Sequence, residues 1–354
     1  MIDYVKIAGY KSIKEINLDI KPINIIIGAN GSGKSNFISF FEFLNQVYQQ
    51  NLAEYIALRG GEEKILHKGA KITSELKFEI SFNNELNGYS ATLHLGESGF
   101  VFMNEYLLFR GDKGWDISTK RNEAYIKRTD NYRAKYVIRF LKGFRKYHFH
   151  DTSKNSPFKQ LSHIENDSYF LYEEGKNLAA YLYSIKEDSK IIYNRIIKTI
   201  QSIAPFFSDF YFQPNKEGYL KLQWQDKYSS NIYGANDFSD GTLRFIALTT
   251  LFMQPQLPDT IIIDEPELGL HPTAITKLSG MIKSVAAKGT QVILATQSAD
   301  LVNHFEPEDV ITVNQQNGES LFNRLSSKEL EHWLDEYSLG DLWQRNILKG
   351  GQPE

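Results

Sequence analysis

Short β-branched blocks fill the first 27 residues. Tyr4-Val5-Lys6-Ile7 and Ile16-Asn17-Leu18-Asp19-Ile20 alternate or run apolar as strands do, and Ile23-Asn24-Ile25-Ile26-Ile27 is apolar enough to be buried on both faces. Helical spacing follows at once, because Phe37, Phe40, Phe41 and Leu44 recur along Asn36 to Gln49. Between Lys71 and Phe109 the pattern returns to alternation, as in Leu76-Lys77-Phe78-Glu79-Ile80 and Ala91-Thr92-Leu93-His94-Leu95, which predicts an antiparallel sheet. A long helical stretch over about Asn177 to Ile203 leads into strand-like segments around Phe210 to Trp224. An apolar helix from Leu243 to Met253 then precedes two buried strands, Thr260 to Ile263 and Val292 to Thr296. The tail opens on Ser326-Ser327-Lys328-Glu329, a capping-box pattern, and carries Trp333, Leu334, Leu342, Trp343, Ile347 and Leu348 ahead of Gly350-Gly351.

Strands and helices intermixed in this way predict an α/β fold: a mixed-sheet core with an antiparallel β-lobe, a helical insertion and a helical C-terminal tail. The segments divide as a first lobe over 1–115, a largely helical insertion over 116–203, a second lobe over 204–325 and a tail over 326–354. The chain has 354 residues, 42% of them hydrophobic, enough for a sizeable core. A formal net charge of −3 argues against a uniformly basic coat for nucleic acid, so any polyanion site must be regional. With no cysteine there is no disulfide and no thiolate metal site, which suits a reducing cytoplasm. No apolar run reaches the length of a membrane span or a signal segment, and the expected location is cytoplasmic.

The strand ending at Ile27 runs into Gly28-Ala29-Asn30-Gly31-Ser32-Gly33-Lys34-Ser35, with Asn36 opening the helix behind it. This is the Walker A pattern, in which glycines let successive N–H groups wrap phosphates at a helix N-terminus while lysine reaches the β- and γ-phosphates. The expected ligands are therefore ATP and Mg²⁺, with the Ser35 hydroxyl on the metal. Asp264 and Glu265 close the strand Thr260 to Ile263 in a Walker B arrangement. Asp264 would hold a magnesium-bound water, and Glu265 would orient or deprotonate the attacking water.

Phe238-Ser239-Asp240-Gly241-Thr242-Leu243-Arg244 begins its serine 25 residues before Asp264, with an apolar helix between. This segment resembles the ABC signature of SMC/RecF-like and overcoming-lysogenization-defect-like AAA-family ATPases. The resemblance implies that Ser239 and Gly241 meet the γ-phosphate bound by a second copy, closing a nucleotide-sandwich dimer. Glu267-Leu268-Gly269-Leu270-His271-Pro272 is similar to the D-loop of the same branch rather than to a transporter subunit. Gln297 stands where those relatives usually carry a switch histidine; it can donate a hydrogen bond to the γ-phosphate but cannot titrate, so turnover could be slow. No residue is assigned to the Q-loop glutamine. Lys11-Ser12 matches a pair that often lies near the nucleotide in such relatives, and equally suits a surface turn.

Ser35 and Ser239 are 204 residues apart, which leaves no room for long SMC arms, and the 54 residues after Asp300 are too few for a fused TOPRIM nuclease. Tyr147-His148-Phe149-His150-Asp151-Thr152 contains an HxHD cluster whose two histidines share a strand face, in number short of a metal site. From Ser118 to His150 ten Lys or Arg face two acids, a local balance of +8, with seven aromatics interleaved. That stretch reads as a solvated helix face with an aromatic core side, or as a surface for a phosphate backbone or acidic partner. The expected protein is an ATP-hydrolysing dimer that controls a separate effector protein, which the resemblance places in bacterial antiviral defence. A RecF-like ATPase that grips DNA, and a scaffold that binds ATP with little turnover, are the open alternatives.

Overall fold

In the computed structural model, alternation over the first residues becomes a hairpin of β1 (Ile2–Tyr10) and β2 (Ile13–Asp19), with Val5, Ile7, Ile13, Ile16 and Leu18 turned inward. The structure describes residues 1–97, 99–153 and 155–348; the Gly350-Gly351 of the tail lie outside them. Two compact units result, one of 1–146, 259–262 and 289 onward, the other of 147–258 and 263–288. They cut across the segments read from the sequence, because the basic stretch 118–146 packs within the first unit and 147–203 within the second.

In the first unit the chain continues through β3 (Ile23–Ile27), α1 (Lys34–Gln49), α2 (Leu52–Leu58) and α3 (Glu62–Ile65). The antiparallel lobe follows as β4 (Glu75–Phe82), β5 (Asn87–Gly96), β6 (Gly99–Phe109) and β7 (Asp112–Asp116), then α4 (Ala134–Gly143) and the two-residue β8 (Lys146–Tyr147). The second unit holds β9 (Ser162–His163), α5 (Leu178–Asp188), α6 (Lys190–Gln201), β10 (Phe207–Tyr211), β11 (Tyr219–Leu220), β12 (Gln223–Asp226), β13 (Ile232–Gly234) and α7 (Asp240–Met253). After β14 (Thr260–Asp264) and α8 (Pro272–Ala287) come β15 (Gln291–Thr296), α9 (Ala299–Val302), β16 (Val310–Gln316), β17 (Glu319–Arg324), α10 (Ser327–Leu334) and α11 (Leu339–Gln344).

One sheet of the first unit has the order β2-β1-β4-β5-β6-β7, antiparallel throughout; a second runs β17-β16-β3-β15-β14-β8. In the second sheet β3 is parallel to β15 on one side and to β16 on the other, and all five of its residues, Asn24 among the four isoleucines, are buried. Gln291 ties the sheets together: its buried amide accepts from Ile2 N at 2.9 Å and donates to the Ile2 carbonyl at 2.9 Å. The shared core gathers around α1, where Phe40 and Phe43 lie 5.4 and 5.6 Å from the Tyr10 ring and 5.8 and 6.2 Å from Phe78. Such aromatic pairs contribute ~0.5–1.5 kcal/mol each beyond their area, which holds the middle of α1 against β1 and β4.

Two details differ from the sequence reading. The helix expected over 177–203 breaks at Ser189 (φ −143°), where Asp188 and Ser189 favour helix ends over interiors. Ser326 does precede α10, yet its side chain makes no cap; Ser327 turns to Glu308 instead, and a reciprocal capping box forms at Ser338 and Asp341.

Candidate functional site

Within the first unit, β3 delivers the chain into Gly28 at the carboxyl edge of the sheet. A Cβ at Gly28 would overlap the Val313 carbonyl of the adjacent strand, and one at Gly33 (φ 109°) would overlap the hydroxyls of Ser320 and Ser12. Glycine is therefore required at both positions, while Gly31 (φ 78°) faces open space. Gly33 ends the loop as N-cap of α1, and the helix starts with no side-chain cap and no acid in its first turn. Its leading N–H groups and positive dipole end thus stand ready for an anion. Lys34 is buried, with Nζ donating to the carbonyls of Gly28 at 2.7 Å and Ala29 at 2.9 Å. Ala29 and Asn30 form the loop's outer rim, and Ser35 is exposed one residue past Lys34. Ser32 is 4% exposed, and its Oγ has no hydrogen-bond partner among the described residues. A buried hydroxyl in that state suits a phosphate oxygen, as do the glycine cradle and the bare helix end.

Gln297 belongs to the same edge. The register pairs Thr296 with Ile27, so Gln297 stands one residue on, level with Gly28. Among the loop's supports, sequence reasoning missed Ser320. Ser320 Oγ donates to the Ser32 carbonyl at 2.6 Å and lies 2.7 Å from Ser12 Oγ, which accepts from Asn36 Nδ2 at 2.7 Å. Lys11, at φ 48°, sits beside this cluster with Nζ 2.7 Å from Ser39 Oγ; burial, then the Arg59 charge, pushes its ammonium down to about 8. Lys11, Ser12 and Asn36, with Arg59, Lys64 and Lys68, line a cleft of about 860 Å³. The pair Lys11-Ser12 is visible in the sequence, but nothing there points to Ser320.

The second unit carries the remaining predicted residues. Phe238 stacks on Trp224 at 4.5 Å, which anchors the chain just before Ser239. Ser239 caps α7 by accepting from Thr242 N at 3.2 Å and stays exposed. Gly241 lies against the Gly269 carbonyl, which a Cβ would overlap. Asp264 is buried at the end of β14; Glu265 is half-buried and adopts φ 41°, a left-handed conformation rare for a side-chain-bearing residue, and Pro266 follows. His150 Nε2 donates to the Asp264 carbonyl at 2.8 Å, and the His148 and His150 rings stack at 4.2 Å. Among the described residues no group of three or more His, Cys, Asp or Glu forms a metal cluster.

In the basic stretch the helix is short. The α4 residues Ala134, Val137, Phe140 and Leu141 are buried, with Phe140 stacked on Phe82 at 4.3 Å, and its cations point away. Several of those cations have structural work: Arg133 lies over Phe109 at 3.9 Å and Trp115 at 4.4 Å, and Arg139 makes two 2.9 Å bonds to Asp259. Residues 125 and 126 are pinned by the buried Glu105, which accepts from Tyr125 N at 2.8 Å and Ile126 N at 2.9 Å and whose carboxyl burial pushes above the usual range.

A phosphate loop between β3 and an uncapped helix, on a parallel strand flanked by two others, is a P-loop arrangement, and together with the family match it marks an ABC-type AAA ATPase. The chain belongs to the family described as "AAA domain, putative AbiEii toxin, Type IV TA system", which residues 23–303 match. Its fold is similar to an SMC head in the "Crystal structure of the SmcHead bound to the C-winged helix domain of ScpA" (TM-score 0.63, 17% identity, 93% of this chain and 99% of that one). A second SMC head, from Pyrococcus furiosus and bound to the C-terminal domain of ScpA, gives a TM-score of 0.62 at 16% identity over 95% and 98% of the two chains. Among curated proteins, the Old nuclease of Escherichia phage P2 is 32% identical over 71 residues, 20% of this chain and 12% of the nuclease. No helix is long and apolar enough to cross a membrane among the described residues.

Proposed function

We propose that the chain binds Mg·ATP through Gly28–Asn36 and hydrolyses it, as a dimer whose closure around nucleotide acts on a separate effector protein. The observation that carries this reading is the phosphate cradle: glycines that no other residue can replace, a bare helix end and the buried Ser32 hydroxyl without a partner. Lys34 would bind the β- and γ-phosphates, Ser35 and Asp264 would hold the metal, and Glu265 would orient or deprotonate the attacking water. Magnesium, when bound, supplies neutralisation of the developing phosphate charge. Gln297 donates to the γ-phosphate, and Ser239 and Gly241 serve the nucleotide of the second copy. The SMC heads that share this fold are seen bound to a different protein, ScpA, which supports a separate protein partner.

Direct DNA binding is a second reading, favoured by the cationic cleft beside Asn36 and by the partial match to a nuclease. Hydrolysis by the pure chain, with and without duplex DNA, separates the two. The central test is Glu265→Gln, which should keep affinity for a fluorescent ATP analogue within about twofold while lowering turnover by about 10²–10⁴. Near-wild-type turnover would refute the assignment.

A further inference from the structure

The Asp264–Glu265 peptide is held from outside its own segment. Its orientation defines φ at Glu265, and that angle, +41°, is one an L-residue before proline does not hold unaided. The carbonyl of this peptide accepts from His150 Nε2 at 2.8 Å. A carbonyl only accepts, so the His150 proton sits on Nε2. His148 stacks on the imidazole and limits its rotation.

His150 is in turn gripped through its own backbone. Arg244, in the second turn of α7, donates from Nη2 to the His150 carbonyl at 2.8 Å, from Nε to the Phe149 carbonyl at 3.1 Å and from Nη1 to the Leu268 carbonyl at 2.7 Å. One guanidinium, planar and rigid, thus fixes both the 148–150 segment and the turn after Glu265. The missing side chain at Gly269 leaves room for it, since a Cβ there would lie 2.6 Å from Nη1. Through Gly241, the first turn of the same helix abuts the Gly269 carbonyl. A shift of α7 therefore moves Arg244, and with it both supports of the peptide that sets the Glu265 backbone.

We propose that His150 is a positioning residue for Glu265, and that Arg244 makes its hold depend on where the signature helix stands. The proposal rests on the hydrolytic reading above, in which Glu265 activates water. It also gives the HxHD cluster a use other than metal ligation: the ring nitrogen is spent on a backbone carbonyl.

The test uses the full chain with His150→Phe, which keeps an aromatic ring but no donor, and His150→Gln, whose amide replaces the Nε2–H. Steady-state kinetics should show kcat for His150→Phe down at least about tenfold, with KM for Mg·ATP and affinity for a non-hydrolysable analogue within about twofold. The Gln variant should recover at least half of the lost turnover. Without nucleotide, hydrogen–deuterium exchange of the peptide covering 264–271 should rise in His150→Phe and in Arg244→Met, and return toward wild type in His150→Gln. Unchanged turnover in His150→Phe, a Gln variant no better than Phe, or unchanged exchange over 264–271 would each overturn the proposal. A wild-type chain with no turnover would overturn the hydrolytic reading instead, and the exchange arm would still decide whether His150 and Arg244 hold the turn.

Discussion

Replacing Glu265 by Ala and by Gly separates the carboxylate from the backbone it sits on. Both variants lose the side chain, so any interaction the carboxylate makes is removed equally from each. They differ in what φ +41° costs them. A side-chain-bearing residue in the left-handed region is disfavoured by ~1–2 kcal/mol, whereas Gly adopts it freely. Against this, Gly gives the unfolded chain more freedom, worth about 0.4–1 kcal/mol at an ordinary position. The difference, between about 0 and 1.6 kcal/mol and centred near about 0.8, leaves Glu265→Gly more stable than Glu265→Ala, the reverse of the usual order. For a chain with units of this size the central value corresponds to about 2–3 °C in melting temperature. Scanning calorimetry or fluorimetry on nucleotide-free protein reads it directly, and neither variant should hydrolyse ATP. An Ala variant more stable than the Gly variant would mean that the turn is not strained, and the reasoning about the Asp264–Glu265 peptide would fall with it.

A mixture of Lys34→Ala and Gly241→Asp, each inactive alone, should recover up to about a quarter of the activity after random subunit exchange, because half the dimers are mixed and one site in each is sound. Hydrolysis by Gly241→Asp on its own would rule out a shared site. Gln297→His should leave turnover unchanged or raise it, as measured by phosphate release, and complete loss would remove Gln297 from the switch position. Lys11, pushed down to about 8 against 10.5 unfolded, is a group whose charged form burial disfavours. The unfolded chain then binds more protons between pH 8 and 10.5, so wild type should gain stability relative to Lys11→Met across that window and keep a constant gap below pH 8; a gap independent of pH over 8–10.5 would contradict this. In the basic stretch, Arg133→Met should lower stability by about 0.5–2 kcal/mol through lost stacking on Phe109 and Trp115, whereas Lys135→Met with Lys142→Met should change only partner or DNA binding, read by pull-down and by salt-dependent DNA titration.

The loop proposed to bind phosphate was legible because its constraints are local. A strand buried on both faces reads as a nearly continuous apolar run, a phosphate loop must spend glycines, and a helix that receives an anion keeps acids out of its first turn; Ile23–Ile27, whose one polar residue Asn24 is satisfied by hydrogen bonds, Gly28–Gly33 and Lys34–Phe37 each fit. What holds those residues was not legible. Ser320 reaches the loop from 288 positions away, and a serine in an alternating strand carries no mark of its partner. Arg244 was part of a recognised motif, but its three acceptors are backbone carbonyls, which leave no trace in side-chain identity. The break at Ser189 was within reach, since Asp188-Ser189 interrupts helix formers, though the apolar period continues in phase through Tyr193 and Ile196.

The place of β3 in its sheet also orders events during synthesis. The phosphate loop is translated within the first 36 residues, yet both strands that flank β3 lie beyond residue 290 and the Ser320 prop lies later still. Gln291, which captures the backbone of Ile2, arrives 289 residues after it. Until then the isoleucines of β3 have no parallel neighbours and the loop has nothing to stand against, so a growing chain carries the sequence of a nucleotide site without its geometry. Long-range parallel pairing of this kind closes slowly and exposes apolar strands while it waits. A ribosome-bound chain arrested before Val310 should therefore bind no nucleotide, which would confine nucleotide binding to molecules whose second sheet is complete.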